Sequence, residues 1–178
     1  MNIYYEEFIN FFKKHDLYNE ELFNNIRLNS YLFDYRDDEK RAFIGCYCNT
    51  NSNDTIKDIT LCVPFIDSKK TILINIHEYI HALILYQYLN KKYKITIDSE
   101  ILPILYETLY ILENPTEELK EFQEKLNSKI DKESNINYQI ALKVQNELLK
   151  YYKKSTPNLQ KLQSKAKKLA RKCKRKSI

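Results

Sequence analysis

The stretch Ile74–Leu83, reading Ile-Asn-Ile-His-Glu-Tyr-Ile-His-Ala-Leu, constrains the fold more than any other. It is an apolar, helix-like run that nevertheless carries two histidines and a carboxylate. On a helix, residues four apart lie about one turn apart on one face, so the imidazoles of His77 and His81 can point at a single metal ion. Glu78 then stands beside that ion rather than on it. Two neutral nitrogen ligands with an adjacent carboxylate to take a proton from water is the arrangement a zinc hydrolase needs. The chain has only three histidines, and two of them fall in this motif. The competing reading, hydrogen-bonded core histidines beside a solvated glutamate, has no use for that concentration.

The segments around this helix predict an α+β protein, mainly helical, with a small antiparallel hairpin. Asn2–His15 spaces Ile3, Phe8, Ile9, Phe11 and Phe12 as an amphipathic helix, with His15 at its end as a C-terminal cation. Glu20–Leu32 reads as a second helix, followed by a charged turn at Asp34–Lys40. Arg41–Asn49 and Ile56–Phe65 change the period to about two and are separated by turn-forming residues, which predicts a β-hairpin. Gly45 in its first strand suggests a bulge or a close backbone approach. Asp67 or Ser68 caps a helix from about Lys69 to Leu89, which carries the motif. A further segment, Ile97–Glu107, is mostly apolar with carboxylates at its polar points. Asn114-Pro115-Thr116-Glu117 starts a charged helix to Lys132, Asn135–Lys154 forms a more apolar one, and Thr156-Pro157 opens a last basic helix.

A catalytic zinc ordinarily keeps three protein ligands and one open position. The extended pattern with a third histidine is absent, because Ile84 and Gln87 stand where its Gly and His would be. A carboxylate is the economical third ligand, and Glu100 and Glu107 are the candidates. They are seven residues apart, about 10 Å along a helix, so both cannot bind one ion directly.

The motif His77-Glu78-Tyr79-Ile80-His81 with the following Glu100–Glu107 segment resembles the gluzincin metallopeptidases. In these, the motif helix is followed by a second helix bearing a glutamate ligand. The interval from His81 to Glu100 is similar to that of thermolysin-like members, and Glu100-Ile101-Leu102-Pro103 looks like the glutamate-plus-proline segment of thimet-oligopeptidase-like enzymes. The resemblance implies a minimal zincin-like domain holding one zinc through His77, His81 and Glu100, with Glu78 as general base for peptide-bond hydrolysis. Glu107 then becomes a carboxylate supporting the site or an alternative ligand, with Asp98 and Asn75 as further supports. The Asp that thermolysin-like enzymes place four residues after the glutamate is missing, since Ile104 is there. No histidine follows His81, so the donor to the oxyanion is expected among Tyr106, Tyr110, Tyr152, Tyr138 and Tyr151. An extended peptide substrate could add to Ile56–Val63 as an edge strand.

Charge divides the chain. Lys150–Ile178 holds twelve of the 29 Lys and Arg and none of the 24 Asp and Glu, which leaves residues 1–149 at net −7. The expected organisation is a catalytic domain over 1–155 and a basic helix or tail over 156–178. The tail suits nucleic acid or an anionic membrane surface, or a merely solvated face. An alternative to the peptidase reading is thus a non-peptidase zinc hydrolase, or an inactive zincin-like protein that binds anionic partners through this tail. Cys46, Cys48, Cys62 and Cys173 form no Cys-x-x-Cys pair. They read as small buried hydrophobes, although Cys46 and Cys48 could lie near Cys62. No apolar run is long enough for a membrane span, and the N-terminus lacks the features of a secretory signal, so an intracellular protein is expected.

Overall fold

The computed structural model describes residues 3–25, 27–31, 45–50, 56–89, 100–129 and 136–176. They fall in two compact units, Met1–Ile95 and Thr96–Ile178. The first is α+β and the second helical, so the protein is mainly helical as expected.

The first unit contains α1 (Ile3–Lys14), α2 (Glu20–Asn25), β1 (Arg27–Tyr31), β2 (Gly45–Thr50), β3 (Ile56–Pro64) and α3 (Lys69–Leu89). The amphipathic pattern of α1 buries Phe8, Phe11 and Phe12. Beyond it, Leu17 N–H donates to Phe12 O and Asp16 N–H to Lys13 O, with Asp16 at φ 56°. This is a Schellman end, and Asp is among the residues that tolerate the left-handed region. The expected hairpin is present: β2 and β3 pair antiparallel from Gly45↔Cys62 to Thr50↔Ile56. Its irregularity falls between Asn49 and Thr50 rather than at Gly45. Neither Cys46 nor Cys48 is the cross-strand partner of Cys62, because they oppose Leu61 and Ile59.

Two expectations fail here. The helix foreseen over Glu20–Leu32 ends at Asn25, and Arg27–Tyr31 instead pairs parallel with Thr60–Pro64. No Gly or Pro marks that change, and pairing with β3 overrides local helical preference. The strand order is β1-β3-β2, so Ile56–Val63 is the centre of the sheet rather than an edge, and its backbone is already paired on both sides.

The period of two along β3 does what it predicts: Ile59, Leu61 and Val63 are buried while Thr60 and Cys62 are half-buried. The sheet's β3 and β2 pack against α3. That helix starts and ends where the sequence places it.

The second unit contains α4 (Ile101–Glu113), α5 (Glu117–Lys129), α6 (Ile136–Ser155) and α7 (Leu159–Lys176), with α6 packed on both α4 and α7. Its boundaries differ in detail from the sequence reading. Asn114 closes α4, its N–H and Nδ2 both donating to Tyr110 O, while Thr116 Oγ1 accepts from Leu119 N–H and caps α5. Pro115 therefore precedes the cap instead of opening the helix. Likewise Thr156, at φ 38°, ends α6 by donating its N–H to Tyr152 O, and Asn158 Oδ1 caps α7 through Lys161 N–H. The basic helix is amphipathic: Leu159, Leu162, Ala166, Leu169 and Ala170 are all buried. None of the described helices is long and apolar enough to cross a membrane.

Candidate metal centre

The start of α3 is fixed by a reciprocal cap. Ser68 Oγ accepts from Thr71 N–H at 3.3 Å, and Thr71 Oγ1 accepts from the N–H groups of Ser68 and Asp67 at 3.0 Å each. Thr71 thus takes the place that Glu or Gln holds in a capping box. One turn on, Asn75, 2% exposed, donates through Nδ2 to Pro64 O at 3.0 Å and Thr71 O at 2.9 Å. The sequence offers Asn75 as a support for a metal ligand, whereas its amide ties the end of β3 to the first turns of α3.

The next turn carries the motif. Residues advance about 100° around a helix, so Tyr79 lies about 200° from both His77 and His81, on the opposite side of α3. There its ring meets Phe8 at 5.0 Å, edge to face, Phe23 at 4.8 Å and Phe12 at 6.0 Å between centroids. Burial, and secondarily Tyr5, pushes the Tyr79 phenol well above its ordinary range, so it stays neutral. These aromatic contacts hold the back of the helix and leave the histidine face turned away from the α1 packing. His77 and His81 are half-buried, and Glu78, between the two faces, is 9% exposed.

The two imidazoles present the same atom to one point. Their Nε2 atoms are 3.1 Å apart, with ring centroids at 4.9 Å and planes inclined by 63°. Two nitrogens bound at about 2.0–2.1 Å to a tetrahedral zinc would lie about 3.4 Å apart, so the pair needs little adjustment to share an ion. An ion bound through Nε2 would leave each Nδ1 as the protonated nitrogen of a neutral ring.

Glu100 sits at the N-cap of α4, with φ −79° and ψ −19°, and its side chain makes no capping hydrogen bond. Pro103, awkward inside a regular helix, occupies the third helical position, where the backbone N–H has no intrahelical partner to lose. Among the described residues, His77, His81 and Glu100 are the side chains that could hold a metal ion, the histidine pair on α3 of the first unit and the carboxylate at the start of α4 in the second. Two imidazoles and one carboxylate are also the donor set of a catalytic zinc. The spacing of the two imidazole nitrogens and the donor set both fit the ion.

The remaining candidates separate by position. Glu107 is 6% exposed, two turns along α4 from Glu100 and on the same side of it. Asp98 lies outside the described residues. Tyr106 and Tyr110 are 1% and 0% exposed, with the Tyr106 ring edge-on to Tyr152 at 6.1 Å. Burial, then Tyr152, pushes Tyr106 upward, and burial, then Glu113, does the same to Tyr152. Tyr138 is different. Its phenol is raised by burial and then by the carboxylates of Glu107 and Glu100, so it is the tyrosine whose field is set by both candidate acids. The sequence includes Tyr138 among five tyrosines without a means of ranking them. The 38 residues separating it from Glu100 carry no local signal of the pairing.

Comparison of the chain with family models, with curated proteins and with solved structures gave no match.

Proposed function

We propose that this protein is a zinc-dependent hydrolase, a metallopeptidase with a minimal zincin-like fold of the gluzincin type. One observation carries the reading: beside the buried carboxylate of Glu78, the Nε2 atoms of His77 and His81 meet at 3.1 Å on one face of α3, and a carboxylate completes the proposed ligand set of His77, His81 and Glu100. These three side chains would hold one zinc ion per chain. When bound, zinc would polarise the scissile carbonyl and acidify water.

The protein's own residues supply the rest. Glu78 accepts the proton of the attacking water at its carboxylate and delivers it to the leaving amine, which conserves the proton across the turnover. Tyr138, kept protonated by burial and by its two carboxylate neighbours, is the hydrogen-bond donor assigned to the developing oxyanion. Strand addition by an extended peptide falls to β2, an edge of the sheet that also packs against α3. The central β3 has no such opening.

Elemental analysis of purified protein tests the centre directly. The expected result is one zinc per chain, with affinity lowered at least about tenfold in Glu100→Ala and largely kept in Glu107→Ala. A folded wild type that retains no zinc at micromolar excess would return the two histidines to an ordinary hydrogen-bonded pair.

A further inference from the structure

The last helix carries a second constellation that the hydrolytic reading does not use. A cleft of about 270 Å³ is lined by Tyr151 of α6 and by Gln160, Lys161, Ser164, Lys165 and Lys168 of α7. Three of its six lining residues are lysines and none is acidic. From Lys150 onward the sequence has no Asp or Glu at all, so α7 itself carries no acid that offsets them, and the nearest acid along the chain is Glu147, one turn before Tyr151. Lys161, Ser164, Lys165 and Lys168 recur at helical spacing, which makes the lining one continuous face of α7 rather than a scatter of surface charges. Lys161 and Lys168 are seven residues apart, about 10 Å along the axis, or roughly three nucleotides at a stacked rise of ~3.4 Å.

Two further features narrow the ligand. The cleft contains an aromatic ring, half-buried Tyr151, and the ammonium of Lys165 lies over it at 5.3 Å from the centroid. A cation held on a π face occupies the position a stacked base would take, and its displacement would deliver that ammonium to a phosphate. The opposite side of α7 is already committed, since Leu159, Leu162, Ala166, Leu169 and Ala170 are buried in the second unit. A helix that spends its apolar face internally has little left to insert between lipids.

We infer that the Tyr151–α7 cleft binds single-stranded nucleic acid, with Lys161, Lys165 and Lys168 on successive phosphates and Tyr151 stacking a base. Gln160 and Ser164 supply neutral hydrogen-bonding groups at the same face. The basic end of the chain is on this account a built groove with an aromatic platform.

The test is fluorescence anisotropy of the full-length protein with a labelled oligothymidylate of about twelve nucleotides, titrated between about 50 and 200 mM salt. The triple variant Lys161→Gln, Lys165→Gln, Lys168→Gln should bind at least about tenfold more weakly, with the salt slope reduced by roughly two, near 0.7 per lost phosphate contact. Tyr151→Leu should weaken the oligonucleotide at least about threefold and leave inorganic polyphosphate unchanged, because only a base stacks. A charge-matched control, Lys120→Gln, Lys125→Gln, Lys143→Gln, should stay within about twofold of wild type, with circular dichroism verifying the fold of every variant. Three results would each overturn the inference: a triple variant that binds like wild type, a Tyr151→Leu variant that loses polyphosphate as much as oligonucleotide, or duplex DNA or phosphatidylserine vesicles competing as well per charge.

Discussion

In the proposed centre, Glu78 is where a single side chain would separate binding from chemistry. It is 9% exposed and adjoins His77 in sequence, but it is not among the three residues proposed to hold the metal. Glu78→Gln preserves shape and removes the proposed base, so the proposed peptide hydrolysis should fall by about 10²–10⁴-fold while one zinc per chain is retained. Metal analysis and turnover on the same preparation check this, and full activity in the variant would remove Glu78 from its role. Protonation also sets a residue-scale limit on the fold. Tyr106 is buried with its phenol raised above the ordinary value, so the folded state favours the neutral form. Its contribution to stability is complete below the unfolded value near 10 and is lost as pH rises from there toward the folded value. Urea unfolding should therefore show a flat contribution from this group between about pH 7 and 9 and a fall above about pH 10, shallower in Tyr106→Phe.

At the scale of the element, α3 shows what can be read from sequence and what cannot. Its limits, its cap at Ser68 and its paired histidines were legible because each is local: a capping side chain, a turn of separation, an uninterrupted apolar run. The hairpin was legible for the same reason, through the alternation of Ile59, Leu61 and Val63. Strand β1 was not, because Arg27–Tyr31 has neither strict alternation nor a breaker before it, and its pairing partners lie some thirty residues downstream. That missed strand is why β3 was expected at an edge. Spacing alone leaves Glu100 as one of two glutamates, and only the family resemblance favours it over Glu107. Asn75 is one of three candidate supports in the sequence, because a buried amide on such a helix looks the same whether it serves a ligand or a strand end. Its two hydrogen bonds give a direct consequence: Asn75→Ala leaves Pro64 O without that donor inside the fold and should cost about 1–3 kcal/mol in urea unfolding. The back of the helix makes a larger contribution. Tyr79→Ala removes the ring that meets Phe8, Phe12 and Phe23 and should cost about 3–5 kcal/mol, whereas Tyr79→Phe keeps those contacts and should cost much less.

For the whole molecule, charge and packing divide the chain differently. The charge boundary falls at Lys150, inside α6, and suggests a detachable basic tail. The packing carries α7 into the second unit, where α6 contacts both α4 and α7 and α4 contacts α7 as well. A tail held only by charge would exchange its amide hydrogens almost as fast as an unfolded chain and would loosen further in salt. A helix docked through Leu162, Ala166 and Ala170, which are 0%, 5% and 0% exposed, must open part of an apolar core before it exchanges. Native-state hydrogen exchange should therefore find the amides of Leu162–Ala170 protected to a degree comparable with the buried turns of α6, and insensitive to about 0.5 M salt. Truncation after Ser155 would expose the α6 surface now covered by that stripe and lower the melting temperature of the second unit, rather than trim a solvated end. Fast, salt-sensitive exchange throughout Leu159–Lys176 would reverse this assignment and make the basic segment an electrostatic appendage. Protection would instead mean that the cationic face is held rigid by the apolar one, so that its lysines are presented at fixed helical spacing.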